Sequence, residues 1–138
     1  MSSSVSGYSG TPLVKKLGIK PGFRVCVKNA PADYESLLAP LPDDVQISTE
    51  FTGEVDLWHL FTDSRSSLVE QLPLSVRQIR QDGMIWVSWP KKASKVETDV
   101  AEDVIREVCL PMDLVDIKVC AVDDTWSGLK LVIRKEKR

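Results

Sequence analysis

The stretch 83–94, Gly-Met-Ile-Trp-Val-Ser-Trp-Pro-Lys-Lys-Ala-Ser, constrains the fold more than any other part of the chain. Its first half is an apolar run of strand length with no polar residue until Ser88. A strand with one wet face would alternate; one without alternation is covered on both faces, as parallel strands are in an α/β sheet. Its second half turns abruptly cationic after Trp89 and Pro90, with Lys91 and Lys92 in succession. Ser94 followed three residues later by Glu97 has the pattern of a capping box and predicts a helix opening at Ser94. A buried strand would then deliver a tryptophan and two lysines to a helix N-terminus, at the edge where α/β sheets take their ligands.

The flanking segments repeat the alternation of strand and helix. Residues 1–6 read as a flexible leader, followed by one domain over 7–134 and a frayed tail at 135–138. Thr11 is placed as N-cap and Pro12 as first residue of a short helix, with Leu13 and Leu17 inward, Gly18 as left-handed stop and Ile19 beyond it. After Pro21 and Gly22, Phe23, Val25 and Val27 alternate with Arg24, Cys26 and Lys28 and predict the first strand. Residues 33–38 predict a short helix closed by Pro40 and Pro42, and 45–49 a brief edge strand. Residues 56–62 predict a third strand, nearly all apolar.

Asp63 or Ser64 then caps a helix with Leu68, Leu72, Val76 and Ile79 on one face, which Pro73 should kink or interrupt. Asp82 and Gly83 read as a turn into the fourth strand. The helix expected from Ser94 keeps Val96, Val100, Val104, Ile105 and Val108 together until Leu110 and Pro111. The tail changes character. Val115, Ile117, Val119 and Ala121 alternate with Asp116, Lys118 and Cys120, and Leu129, Leu131 and Ile133 alternate again after a polar loop at 123–128. That is an antiparallel hairpin.

Strands alternating with helices imply a mostly parallel, doubly wound, three-layer sheet with right-handed crossovers. Ending such a sheet in an antiparallel hairpin resembles a shortened methyltransferase variety of the Rossmann-like fold. The resemblance implies strand order 2-1-3-4-6-5, with the last strand antiparallel. Those enzymes carry a glycine-rich loop after the first strand and an acid at the end of the second. Here the loop is Asn29-Ala30-Pro31-Ala32-Asp33, without a glycine, and Glu50 matches the acid only if the strand ends at Thr49. Adenosylmethionine is therefore disfavoured on steric grounds, and nothing else requires a cofactor.

Four segments carry a second resemblance: Gly7-Tyr8-Ser9-Gly10-Thr11-Pro12-Leu13, Lys15-Lys16-Leu17-Gly18-Ile19, 89–94, and Asp124-Thr125-Trp126-Ser127-Gly128-Leu129-Lys130. They are similar to the bacterial family catalogued as domain of unknown function 3052. The likeness implies a short cytosolic bacterial protein and brings no activity with it.

Totals narrow the function classes. A chain of 138 residues with net charge -2 is one ordinary domain and lacks the basic excess of a nucleic-acid coat. No apolar run approaches the roughly 20 residues of a membrane span. Cys26, Cys109 and Cys120 each sit in an apolar segment and read as reduced core thiols, with neither a zinc site nor a disulfide framework. His59, the only histidine, sits mid-strand and reads as a core residue with one hydrogen-bond partner rather than a base.

The expected order of strands gathers distant loops at one rim. Asn29, Trp89, Lys91, Lys92, Ser94, Asp124, Thr125, Trp126 and Ser127 fall there, with Tyr8 and Ser9 returning to the same end. The lysine pair at a helix start suits a phosphate or carboxylate, and Trp89 with Trp126 could form a stacking wall or equally be rim packing that seals the sheet's end. Glu97 and Asp99 occupy part of the same field, and Asp123 beside Asp124 reads as turn chemistry. The reading is a non-catalytic binding or regulatory domain for a small anionic or nucleotide-like ligand, or for a partner segment. The alternatives are a small methyltransferase-like enzyme with an atypical cofactor loop, and a homo-oligomeric interaction module.

Overall fold

The computed structural model describes residues 11–50 and 53–138. Its elements are α1 (Leu13–Leu17), β1 (Arg24–Lys28), α2 (Tyr34–Leu38), β2 (Gln46–Ser48), β3 (Val55–Phe61), α3 (Arg65–Gln78), β4 (Ile79–Pro90), α4 (Glu102–Cys109), β5 (Leu114–Ala121) and β6 (Trp126–Ile133). One six-stranded sheet runs in the order β2-β1-β3-β4-β6-β5. The pairs among β2, β1, β3 and β4 are parallel, and β6 is antiparallel to both β4 and β5. The strand order implied by the methyltransferase resemblance is the one observed.

The sheet has two apolar faces because each central strand sends buried side chains both ways. Val25, Val27, Leu57, Phe61 and Trp86 pack with Leu17 of α1 and Leu38 of α2. Cys26, Trp58, Leu60, Ile85 and Val87 pack with Leu68 and Leu72 of α3 and Ile105 and Cys109 of α4. The result is three layers. The charged termini of β1 stay partly exposed while its centre is buried on both sides, which reconciles its alternation with a central position.

Local punctuation works largely as read. Gly18 stops α1 at φ 83, where its N–H and that of Ile19 close on Lys15 and Val14. The Ser64 side chain accepts from Ser67 N–H and caps α3. The α1 N-cap is Pro12, however, one residue beyond the expected Thr11.

Four local expectations fail for physical reasons. Pro73 does not interrupt α3, which runs unbroken from Arg65 to Gln78 although the carbonyl of Val69 loses its usual donor. Asp82 and Gly83 make no turn: β4 already begins at Ile79, and between Ile79 and Met84 it carries extra residues against β3. A Cβ at Gly83 would meet Asp56 O at 3.1 Å and Val55 O at 3.2 Å, so the glycine lets two backbones close up there. The helix expected at Ser94 is displaced to Glu102. In β5, the register steps from Asp116 opposite Leu131 to Lys118 opposite Lys130, leaving Ile117 as the extra residue of a bulge. The bulge breaks the apolar alternation, so Ile117 and Val119 are exposed.

Candidate functional site

The rim beyond the carboxyl ends of β1, β3, β4 and β5 is where the candidate residues fall. Two distant segments meet there. Pro90 lies opposite Trp126, Trp89 opposite Ser127, and Lys91 N–H donates to Thr125 O at 2.8 Å. Asp123 Oδ1 accepts from the N–H groups of Thr125 and Trp126, each at 2.8 Å, which makes it a turn residue. Asp124 is exposed beside it. Asn29 closes β1 in the left-handed region at φ 60, on the same rim but beyond β3 from the β4 end. Tyr8 and Ser9 lie outside the described residues.

The stacking wall does not form. Cross-strand register puts Trp89 with Ser127 and Trp126 with Pro90, and neighbouring residues on a strand point to opposite faces. Trp89 is buried against the α3–α4 layer. Trp126 packs edge-on to Phe61 on the α1–α2 side, with centroids 5.1 Å apart.

The lysine pair does not sit at a helix N-terminus either. After Lys91 the chain makes one 3-10 turn, Lys92–Ser94, and Lys95 takes a left-handed φ of 61 that ends it. Ser94 Oγ donates back to Lys91 O at 2.7 Å and accepts from Val96 N–H at 3.2 Å, closing a turn where a capping box would open a helix. Residues 95–101 form a loop tied to the start of α3. Thr98 Oγ1 donates to Asp63 O at 2.7 Å, and Asp99 Oδ1 accepts from Arg65 N–H at 2.7 Å. Asp99 thus already supplies the anion that the α3 N-terminus favours. The first turn of α4 holds Glu102 and Asp103. What remains is a cleft of about 470 Å³ bounded by Trp89, Lys92, Lys95, Val96, Glu97 and Asp99. Its charge is mixed, with Lys92 and Lys95 against Glu97 and Asp99.

Beneath the rim, on the α1–α2 side, lies a polar chain that sequence reading found only in part. Tyr34 Oη is 2.8 Å from His59 Nδ1, and His59 Nε2 is 2.7 Å from Ser88 Oγ. Tyr34 is 3% exposed, and His59 and Ser88 are 0%. The His59 ring stacks on Phe61 at 4.3 Å, and Tyr34 meets both rings edge-on. Burial pushes the imidazole down to about 3, so it is neutral through the physiological range, donating at one nitrogen and accepting at the other. Burial also raises the Tyr34 hydroxyl above its ordinary value. His59 was expected to have one partner; it has two. A lone mid-strand histidine was the available signal, but the partners come from α2 and β4 and have no fixed sequence spacing.

The thiols are equally withdrawn from chemistry. Cys26 and Cys109 are buried and Cys120 half-buried, and none of the three is in a disulfide. Burial, with Asp116 adding to it, pushes Cys109 up to about 11, and burial raises Cys120. No cluster of three metal-ligating side chains occurs among the described residues. No helix among them is long and apolar enough to cross a membrane.

Comparison with known proteins agrees with this architecture. The ribosomal protein L11 methylase of Lactobacillus delbrueckii subsp. bulgaricus superposes with a TM-score of 0.55 at 12% identity, over 88% of this chain and 75% of that one. Aeropyrum pernix fibrillarin, solved with S-adenosyl-L-methionine bound, superposes at 0.55 and 14% identity, over 91% of this chain and 70% of that one. At such identities the likeness is one of fold. No curated protein matches the sequence. The family described as "Protein of unknown function (DUF3052)" matches residues 43–135, and the chain belongs to it.

Proposed function

Starting from a DUF3052 chain built on a methyltransferase-like sheet, we propose a non-catalytic binding domain whose rim holds a small anionic or nucleotide-like ligand, or a partner segment. The observation that carries this reading is the contrast between the open cleft beside Trp89 and the sealed Tyr34–His59–Ser88 chain below it. A general base must reach its substrate and titrate near working pH. His59 does neither. The cleft offers Lys92 and Lys95 to an anionic group, and Trp89, Val96 and Val100 to an apolar part. Glu97 and Asp99 offset some of that positive charge, so a ligand carrying both an anion and an apolar moiety suits it better than free phosphate.

A thermal-shift panel of nucleotides, phosphates and acyl carboxylates tests this. A ligand near 100 times its Kd should stabilise by about 3 kcal/mol, a rise of several degrees in Tm, lost in Lys92→Ala/Lys95→Ala. No stabilisation by any member, with that variant inert, removes the ligand version.

One observation favours a second reading, a methyltransferase-like enzyme with an atypical loop. Asn29 adopts the left-handed backbone that a glycine would supply after β1, and fibrillarin, with the same fold, is solved with S-adenosyl-L-methionine. Calorimetry decides between them: no heat with that ligand at about 1 mM eliminates the enzyme reading.

A further inference from the structure

A second surface, away from the rim cleft and independent of it, lies between α1 and the sheet edge at β5. There a groove of about 390 Å³ is lined by Lys15, Lys16, Lys118, Val119 and Cys120, among others, and by no carboxylate. Lys130 lies beside it, opposite Lys118 across the β5–β6 pair, and Lys20 adds to its field. Burial and these two like charges lower the Lys130 pKa. The described ion pairs all belong to arginines, Arg65, Arg80 and Arg106, and none reaches Lys15, Lys20, Lys118 or Lys130. A chain of net charge -2 thus gathers five lysines at one place, and no described ion pair offsets the charge of Lys15, Lys20, Lys118 or Lys130.

We propose that this groove docks an extended, carboxylate-rich segment of a partner protein, whose acids lie over Lys15, Lys118 and Lys130 and whose aliphatic side chains cover Val119 and Ile117. Charge complementarity selects the acid, and the exposed aliphatics at 47% and 51% select a peptide that has apolar residues too. Beyond the bulge β5 lies at the sheet edge, where its backbone can hydrogen-bond such a segment at positions before Ala121, whose carbonyl already accepts from Lys16 Nζ at 3.5 Å. Two other occupants fit less well. A second copy pairing along β5 would set Lys118 near its own counterpart, like charge against like, across a bulged edge. Single-stranded nucleic acid needs bases to stack, and among the described residues the groove offers no aromatic side chain and no arginine.

The test uses the full chain and a synthetic ten-residue peptide of alternating glutamate and valine, followed by amide NMR and calorimetry. Saturable binding is expected, with shifts confined to β5 and α1 and affinity falling with salt. Lys118→Glu should weaken it about tenfold or more, and Lys15→Glu, on the exposed face of α1, should weaken it as well. Both residues are exposed, and circular dichroism of each variant confirms its fold. A lysine–valine peptide should not bind. No saturable shift at about 1 mM peptide overturns the proposal, as does unchanged affinity in both variants. Tighter binding of an oligonucleotide than of the peptide, or a dimer in sedimentation that Ile117→Ser dissolves, would also overturn it.

Discussion

The two faces of the sheet are buried equally well but by different means. On the α3–α4 side, a fourteen-residue and an eight-residue helix lay aliphatic side chains over Trp58, Leu60 and Ile85, and the buried polar content is slight. On the other side, α1 and α2 have five residues each, too short to cover the strands with aliphatics alone. There the core is completed by aromatic rings and by hydrogen bonds: Tyr34 to His59 to Ser88, and the Trp86 indole N–H to Leu17 O at 2.9 Å. Two buried tryptophans make the contrast sharp. Trp86 has its acceptor, whereas Trp58 Nε1 on the other face is buried without one and has the Lys28 ammonium 5.5 Å over its ring. Where helices are short, polar specificity replaces apolar area.

The largest expected effect comes from cutting the polar chain at its centre. His59→Leu leaves two hydroxyls buried without partners and should cost about 3 kcal/mol in chemical denaturation. Removing those hydroxyls as well, with Tyr34→Phe and Ser88→Ala, should recover a large part of that loss, since apolar replacement of all partners spares the unmet groups. If the triple variant is no more stable than the single one, the chain is not what sets this face apart.

Acid should act on the same face. His59 is held neutral in the fold, with its pKa near 3 against 6.5 in the unfolded chain, so between those values the unfolded state binds the extra proton. Stability is therefore full above about pH 6.5 and falls as pH drops, by up to about 1.4 kcal/mol per unit, levelling near pH 3. Carboxylates titrate in the same range, so the readout is the difference in slope between the native chain and His59→Leu.

Comparing the tryptophans directly gives a smaller effect. Trp86→Phe should destabilise by about 1 kcal/mol more than Trp58→Phe, because only the first orphans a carbonyl. Equal costs would mean that the indole hydrogen bond contributes nothing net. Smallest is Pro73→Ala on the apolar face, which restores a donor to Val69 O in mid-α3 and should stabilise by about 0.5 kcal/mol, read as a rise in Tm.

Long-period signals in the sequence carried the architecture. The unbroken apolar run of β4, the strand–helix alternation and the terminal hairpin were enough to give a mostly parallel α/β sheet with an antiparallel end, and the resemblance to methyltransferases supplied the order of its six strands. Short patterns misled where a second local solution had the same residues. Ser94 and Glu97 spell a capping box, yet Ser94 spends its hydroxyl on Lys91 O and Val96 N–H once Lys95 turns left-handed. The Trp89 and Trp126 pairing failed on register parity, which a one-residue shift decides and composition does not. The β5 bulge at Ile117 is invisible for the same reason. That 89–94 and 124–127 share one rim was legible; whether they touch was not, nor was the chemistry of the cleft beside Trp89, since it depends on the loop that replaced the expected helix.

The account turns on His59 being a structural strut of a binding domain. Nitrogen-15 NMR of its imidazole between about pH 4 and pH 8 tests that most directly. The expected spectrum is a single neutral tautomer that does not titrate across the range. A midpoint near 6.5, with both nitrogens moving together, would contradict it and make His59 a candidate general base.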